Sequence, residues 1–158
     1  MAESVAEIYS LLVPLASERL LIPRSCVAEV IGFLPTSEMT GAPPWYLGLV
    51  GWNGRQVPVV SFEGACGEDI PPASSRSRML MLHAVSPRIE AGYVAILSQG
   101  FPQLVRVSRE LVAVDESRTF PPRSPVVCQI SLLNESPLVP DLDRLEQMIA
   151  DETVHQPD

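Results

Sequence analysis

The sequence contains no lysine: its basic residues are eleven arginines, set against nineteen acidic residues for a net charge of −8. A nucleic-acid partner needs a basic face to neutralise phosphates, and this balance argues against one. It also disfavours docking on an anionic membrane surface. Charged residues make up only 19% of the chain, below the roughly 25% usual for globular proteins. There is no apolar run near the ~18 residues that would cross a bilayer. No basic stretch followed by an apolar one opens the chain, so no export signal is expected. Cysteine is scarce too. Cys26, Cys66 and Cys128 are odd in number, far apart and never in a CxxC, so neither a disulfide framework nor a zinc site is indicated. These absences together predict a reduced, cytoplasmic protein.

What is present points to β structure. The wide hydrophobic count is 46%, enough apolar material for a core. Sixteen prolines in 158 residues are about twice the ~5% norm. Each fixes φ and removes a donor, which leaves little room for long helices. Residues 9–15 (YSLLVPL) and 19–23 (RLLIP), split by Ala16-Ser17-Glu18, read as a hairpin. Residues 24–31 are open: one helical turn followed by a strand fits, but Val27, Val30 and Ile31 suit either period. Residues 34–44 form a loop by their proline and glycine content. Trp45–Trp52 and Arg55–Phe62 flank Asn53-Gly54, the strongest short hairpin signal, because a type I′ turn needs positive φ at both central residues. Pro58 cannot donate to a ladder and must sit at an edge or a non-bonding position.

Residues 63–77, polar and rich in small residues, read as a linker or a long surface loop. Met79–Val85 and Ile89–Leu97 form a second hairpin around Ser86-Pro87-Arg88. Short strands follow at 104–107, 111–114, 126–132 and 137–139. Only Asp141–Ala150 reads as a proper helix, with Asp141 as N-cap and Leu142, Leu145, Met148 and Ile149 on one face. Residues 151–158 are expected to be a disordered tail.

Candidate chemistry is sparse. His83 lies in an apolar run, where the expectation is a buried, hydrogen-bonded side chain. His155 falls in the tail. A Cys128–His83 pair would suit a small hydrolase, but nothing in the local sequence supports it, and a buried structural cysteine is the competing reading. No paired-carboxylate, EF-hand, phosphate-loop or nucleophile-elbow motif is present. Trp45–Val60 stands out instead, where a bulky strand meets a tight turn and a valine-rich strand. For Trp45 and Trp52 the core is the leading reading, since burial is the commoner fate of a strand aromatic; a protein-binding surface competes with it, since Trp and Arg are enriched at hot spots.

The order and spacing of several segments resemble the CheW-like coupling proteins of bacterial chemosensory systems, over about residues 7–150. The family segment I-P-x-x-x-V-x-E-V-I stands here as Ile22-Pro23-Arg24-Ser25-Cys26-Val27-Ala28-Glu29-Val30-Ile31. The family's G-V-x-N-L-R-G-x-x-x-P-V-x-D-L reads here as residues 48–62, from Gly48-Leu49-Val50-Gly51-Trp52-Asn53-Gly54 through Pro58-Val59 to Ser61-Phe62. Gly92–Leu97 resembles a later family strand, G-L-V-V-D. The chain departs from the pattern at the turn. Asn53 stands where the family has the arginine that helps bind receptor, and arginine moves to Arg55. Gly51 replaces the family asparagine and Ser61 the strand aspartate.

The resemblance implies a mainly β fold of two SH3-like five-stranded β-barrels with a C-terminal helix. It would divide into subdomain 1, about 16–77, and subdomain 2, about 78–140 plus the N-terminal strand, with a helix at 141–150. It implies a non-catalytic adaptor without cofactor or metal, cytoplasmic and recruited to receptor arrays. Its partners would be the regulatory domain of a CheA-type histidine kinase and the cytoplasmic tip of a methyl-accepting chemoreceptor. The short, proline-laced form is most similar to the ChpC/PilI-like variants of type IV pilus (twitching) clusters. By position, Val27, Glu29, Gly48 and Gly54 fall where the family contacts partners. Trp52, Asn53 and Arg55 join them as the flanks and tip of the turn. The competing structural readings are core for Val27, a solvated strand carboxylate for Glu29 and turn geometry for the glycines. Two other functions stand beside the adaptor: a stand-alone barrel binding some other protein, and the Cys128–His83 hydrolase. Exposed barrel edges also predict weak self-association.

Overall fold

A computed structural model describes residues 7–132 and 134–154. The chain enters through β1 (Glu7–Pro14) and returns in β2 (Arg19–Pro23), in the antiparallel register Leu12 opposite Leu21. One 3₁₀ turn, Arg24–Cys26, leads into β3 (Val27–Gly32), which resolves a segment whose periodicity left helix and strand open. Then come β4 (Tyr46–Trp52), β5 (Arg55–Val60), α1 (Phe62–Ala65), β6 (Arg78–His83) and β7 (Tyr93–Ser98). β8 (Gln103–Ser108), a second 3₁₀ turn (Arg109–Leu111), β9 (Val112–Val114), β10 (Val126–Leu132), β11 (Leu138–Pro140) and α2 (Leu142–Val154) complete the order.

The strands form two curled sheets. One has the order β8-β1-β2-β11-β10-β9 and the other β3-β6-β7-β5-β4. The first thus has six strands rather than five, because the short β9 is counted in. The sheets also do not divide at 77/78. β6 and β7 belong with β3–β5, and β2 belongs with β1 and β8–β11. Two parallel pairings, β5 with β7 and β2 with β11, produce this arrangement. Such crossovers leave no local turn signal, which is why a reading from hairpins places the boundary elsewhere.

Strand alternation accounts for the core. Met79 and Met81 of β6 point into the five-stranded barrel with Val50, Val57, Val59, Ala95 and Leu97. Leu80 and Leu82 point the other way, into a central layer shared with Leu20, Ile22, Val94, Ile96, Leu138 and Leu145. Leu12, Leu21, Ile130 and Leu132 fill the six-stranded barrel. Strands such as β6 and β7 are therefore buried on both faces and read in sequence as continuous apolar runs. Pro58 is accommodated because it faces Leu49 at a non-bonding position, one step from the paired Val50–Val57.

Three expectations are corrected. Residues 63–77 are not wholly a loop: Ser61 caps α1 by accepting the Gly64 N–H at 3.2 Å, and Phe62 is fully buried. The second hairpin pairs His83 with Tyr93, so its strands are shorter and its connection runs from 84 to 92. The C-terminal helix runs four residues beyond Ala150, to Val154. Asp141 does cap it, accepting the Arg144 N–H at 3.0 Å. The rest of the expected tail, with His155, lies outside the described residues. Glu146, buried on this helix, fixes it to the 84–92 connection. It accepts the Val85 N–H at 2.6 Å, the Ser86 N–H at 2.9 Å and the Ser86 hydroxyl at 2.6 Å.

Candidate functional site

The Asn53-Gly54 turn forms as its residue types require, with φ of 49° and 73°. It sets Trp52 directly opposite Arg55. Both continue the inward-facing rows of their strands, Trp52 after Val50 and Arg55 before Val57. The same alternation places Glu29 beside Ile31 on β3, His83 after Met79 and Met81 on β6, and Tyr93 before Ala95 and Leu97 on β7. Each of the five strands thus sends one side chain to the same mouth of the barrel, just past the last layer of its core.

These five side chains touch. Trp52 Nε1 donates to Glu29 Oε2 at 3.0 Å. β4 and β3 are opposite edges of the sheet, so this bond spans the seam where the sheet curls onto itself. The Trp52 and Tyr93 rings meet edge to face, 4.9 Å between centroids and 78° between planes. Arg55 donates to the Ala91 carbonyl at 2.8 Å and lies 5.6 Å from the Tyr93 ring centroid, a cation–π arrangement. The His83 ring is 5.4 Å from that of Tyr93. Tyr93 is the hub of the cluster. It is half-buried, as is Trp52, while Glu29, His83, Arg55, Asn53 and Gly54 are exposed.

Four of the seven anticipated residues therefore form one hairpin tip, Trp52 to Arg55, and Glu29 joins them across the seam. The other two lie apart. Val27 opens β3, half-buried against the central layer. Gly48 lies at the far end of β4 with φ of 127°, and a Cβ there would meet the Ser37 carbonyl oxygen at 2.4 Å. The close backbone approach to Ser37 requires a glycine there. Tyr93 and His83 were missing from the sequence-based set. The period-2 row Tyr93-Ala95-Leu97 was readable, but its convergence with Trp52 depends on the sheet order. His83 is exposed, not buried as expected, because it lies one step beyond Met81 at the barrel mouth.

The Cys128–His83 arrangement is not assembled. Cys128 lies in β10, opposite Val139, in the other sheet. The thiol with a clear perturbation is Cys66, pushed up to about 11, chiefly by burial; neighbouring carboxylates add to this and a Ser124 hydrogen bond opposes it. That is the reverse of nucleophile activation. Among the described residues, no group of three or more His, Cys, Asp or Glu side chains could hold a metal ion. An apolar cleft of about 270 Å³ adjoins the cluster through Ala91, lined also by Leu49, Pro58, Ile89 and Ile149. A larger polar groove of about 470 Å³ lies away from the cluster, by the β1–β2 turn, lined by Glu18, Arg19 and Glu135 among others. Its walls are braced by ion pairs from Arg19 to Glu135 and from Arg118 to Glu18. Glu18 holds the Arg118 guanidinium above its ordinary range.

Comparison with known proteins gives a consistent answer. The family model for the CheW-like domain matches residues 10–146. Among the solved structures that share the fold is the scaffolding protein TtCheW from Thermoanaerobacter tengcongensis. The two superpose with a TM-score of 0.73 at 13% identity, over 90% of this chain and 89% of that one. No curated protein matches the sequence.

Proposed function

The chain belongs to the CheW-like domain family, and from that premise we propose that it is a non-catalytic adaptor coupling chemoreceptors to the regulatory domain of a CheA-type histidine kinase. A scaffold role in chemotaxis signalling is what the family supports. The finer assignment, to these two partners, rests on the barrel-mouth cluster of Glu29, Trp52, Tyr93 and Arg55. It presents two aromatics and an arginine on a rigid frame built from five strands, and these are the residue types that dominate binding hot spots. No helix among the described residues is long and apolar enough to cross a membrane.

One observation favours a modified receptor contact. Asn53 is uncharged at the tip of the turn, and Arg55 is turned back onto the Ala91 carbonyl and Tyr93 rather than projecting freely. A changed receptor partner, including the type IV pilus variants, fits the altered tip.

Calorimetric titration of the full chain against the regulatory domain of a CheA-type kinase from the same organism tests the reading. Saturable micromolar binding supports the adaptor. Absence of binding with folded protein on both sides overturns it, and leaves an interaction module for another protein.

A further inference from the structure

The Trp52–Glu29 bond joins two strands that do not pair. β3 and β4 are the first and last strands of the five-stranded order. Around this mouth only side chains close the seam, and the indole N–H is the single direct hydrogen bond between Trp52 and β3. The same ring also packs on Tyr93, which carries Arg55 on its face. One residue thus touches both the edge strand bearing Glu29 and the hub that orients the cation.

We propose that Trp52 is the positioning residue of this barrel mouth: its N–H fixes the Glu29 carboxylate, and its ring fixes Tyr93 and through it Arg55. The function reading above enters only in the consequence for partner binding. The chemistry is specific to tryptophan. A leucine, which the resemblance places at this position in relatives, offers no donor. Phenylalanine would keep the ring contact with Tyr93 and lose the bond to Glu29. At Glu29, glutamine keeps an acceptor oxygen for the indole, whereas alanine does not.

The test uses the full chain labelled with ¹⁵N. The sequence has two tryptophans, so two indole N–H signals are expected. One of them, from Trp52, moves in Glu29→Ala, which removes its acceptor, while the Trp45 signal stays in place. Amide exchange supplies the second readout. Trp52→Phe and Glu29→Ala speed exchange of the β3 amides by about tenfold, the scale of one lost hydrogen bond. Glu29→Gln leaves it near the parent value. Core amides of β6 and β7 are unmoved in all three, which separates positioning from a general loss of stability. Two results overturn the proposal: indole signals indifferent to Glu29→Ala, or Trp52→Phe accelerating core and β3 amides alike.

Binding to the kinase regulatory domain is measured separately. If the parent binds, Trp52→Phe and Glu29→Ala each weaken binding, and the double variant is no weaker than the worse single one. Additive losses would refute action through Glu29. If the parent does not bind, the adaptor reading fails, while the indole and exchange results still decide the role of Trp52.

Discussion

Replacing Glu146 with alanine removes the acceptor of three donors at once, and the fold and the barrel mouth both depend on it. The side chain is 2% exposed and accepts from Val85 N–H, Ser86 N–H and the Ser86 hydroxyl. A hydrogen bond to a charged acceptor contributes about 1.5–3 kcal/mol net. Three bonds on one carboxylate share its desolvation, and Val85 is exposed enough for water to reach the freed N–H after the loop relaxes, so the contributions do not simply add. The expected loss is about 3–5 kcal/mol, since each donor left without its acceptor costs about 1–3 kcal/mol and the three overlap. For a chain of this size each kcal/mol moves the midpoint by about 2–4 °C, so Tm should fall by roughly 10 °C. Glutamine keeps one acceptor oxygen but turns an NH₂ group toward a donor, and should cost about half as much. The effect should also reach the site. Glu146 holds residues 85 and 86, and the same connection supplies the Ala91 carbonyl that anchors Arg55. Thermal and urea unfolding, followed by tryptophan fluorescence, read the stability, and the Arg55 Nε–H signal reads the site. An alanine variant within about 1 kcal/mol of the parent would refute the anchoring argument.

Other outcomes follow from the same structure. Gly48→Ala should destabilise by about 2–4 kcal/mol, since it combines a positive φ with a backbone clash at Ser37; Gly51→Ala on the same strand, where a Cβ has room, should cost far less, as paired urea curves will show. Arg55→Ala should weaken partner binding in calorimetry while moving Tm by no more than a few degrees, because the side chain is exposed and its bond to Ala91 is at the surface. Cys66 should alkylate slowly at pH 8, because a thiol held near 11 is almost entirely protonated there. Raising a thiol's value on folding favours the protonated form. Its stabilising effect is thus complete below the unfolded thiol's value and fades as pH rises toward 11, so Cys66→Ala should flatten the alkaline limb of a stability–pH profile.

Much of the local structure was legible in the residues. Asn53-Gly54 fixed the β4–β5 turn because only residues tolerant of positive φ fit it. Asp141 marked the start of α2 by its capping chemistry. The first hairpin was readable from two apolar runs around a polar turn. α1 was missed, since four residues with an internal glycine carry almost no periodicity, and its placement comes from burial of Phe62 and the Ser61 cap. Family membership was readable too, from the order of motifs that are each weak alone.

The sequence by itself determined the turns, the caps, the two-faced apolar strands and the residues of the hairpin tip, because each depends on backbone preferences or on alternation within a few neighbouring positions. The tertiary structure alone decided which strands share a sheet, since the parallel β5–β7 and β2–β11 pairings join segments far apart in the chain. It alone brought Glu29, His83 and Tyr93 to Trp52 and Arg55. A sheet's curl carries its two edges together only after every intervening strand has paired, and no local run of residues encodes that closure.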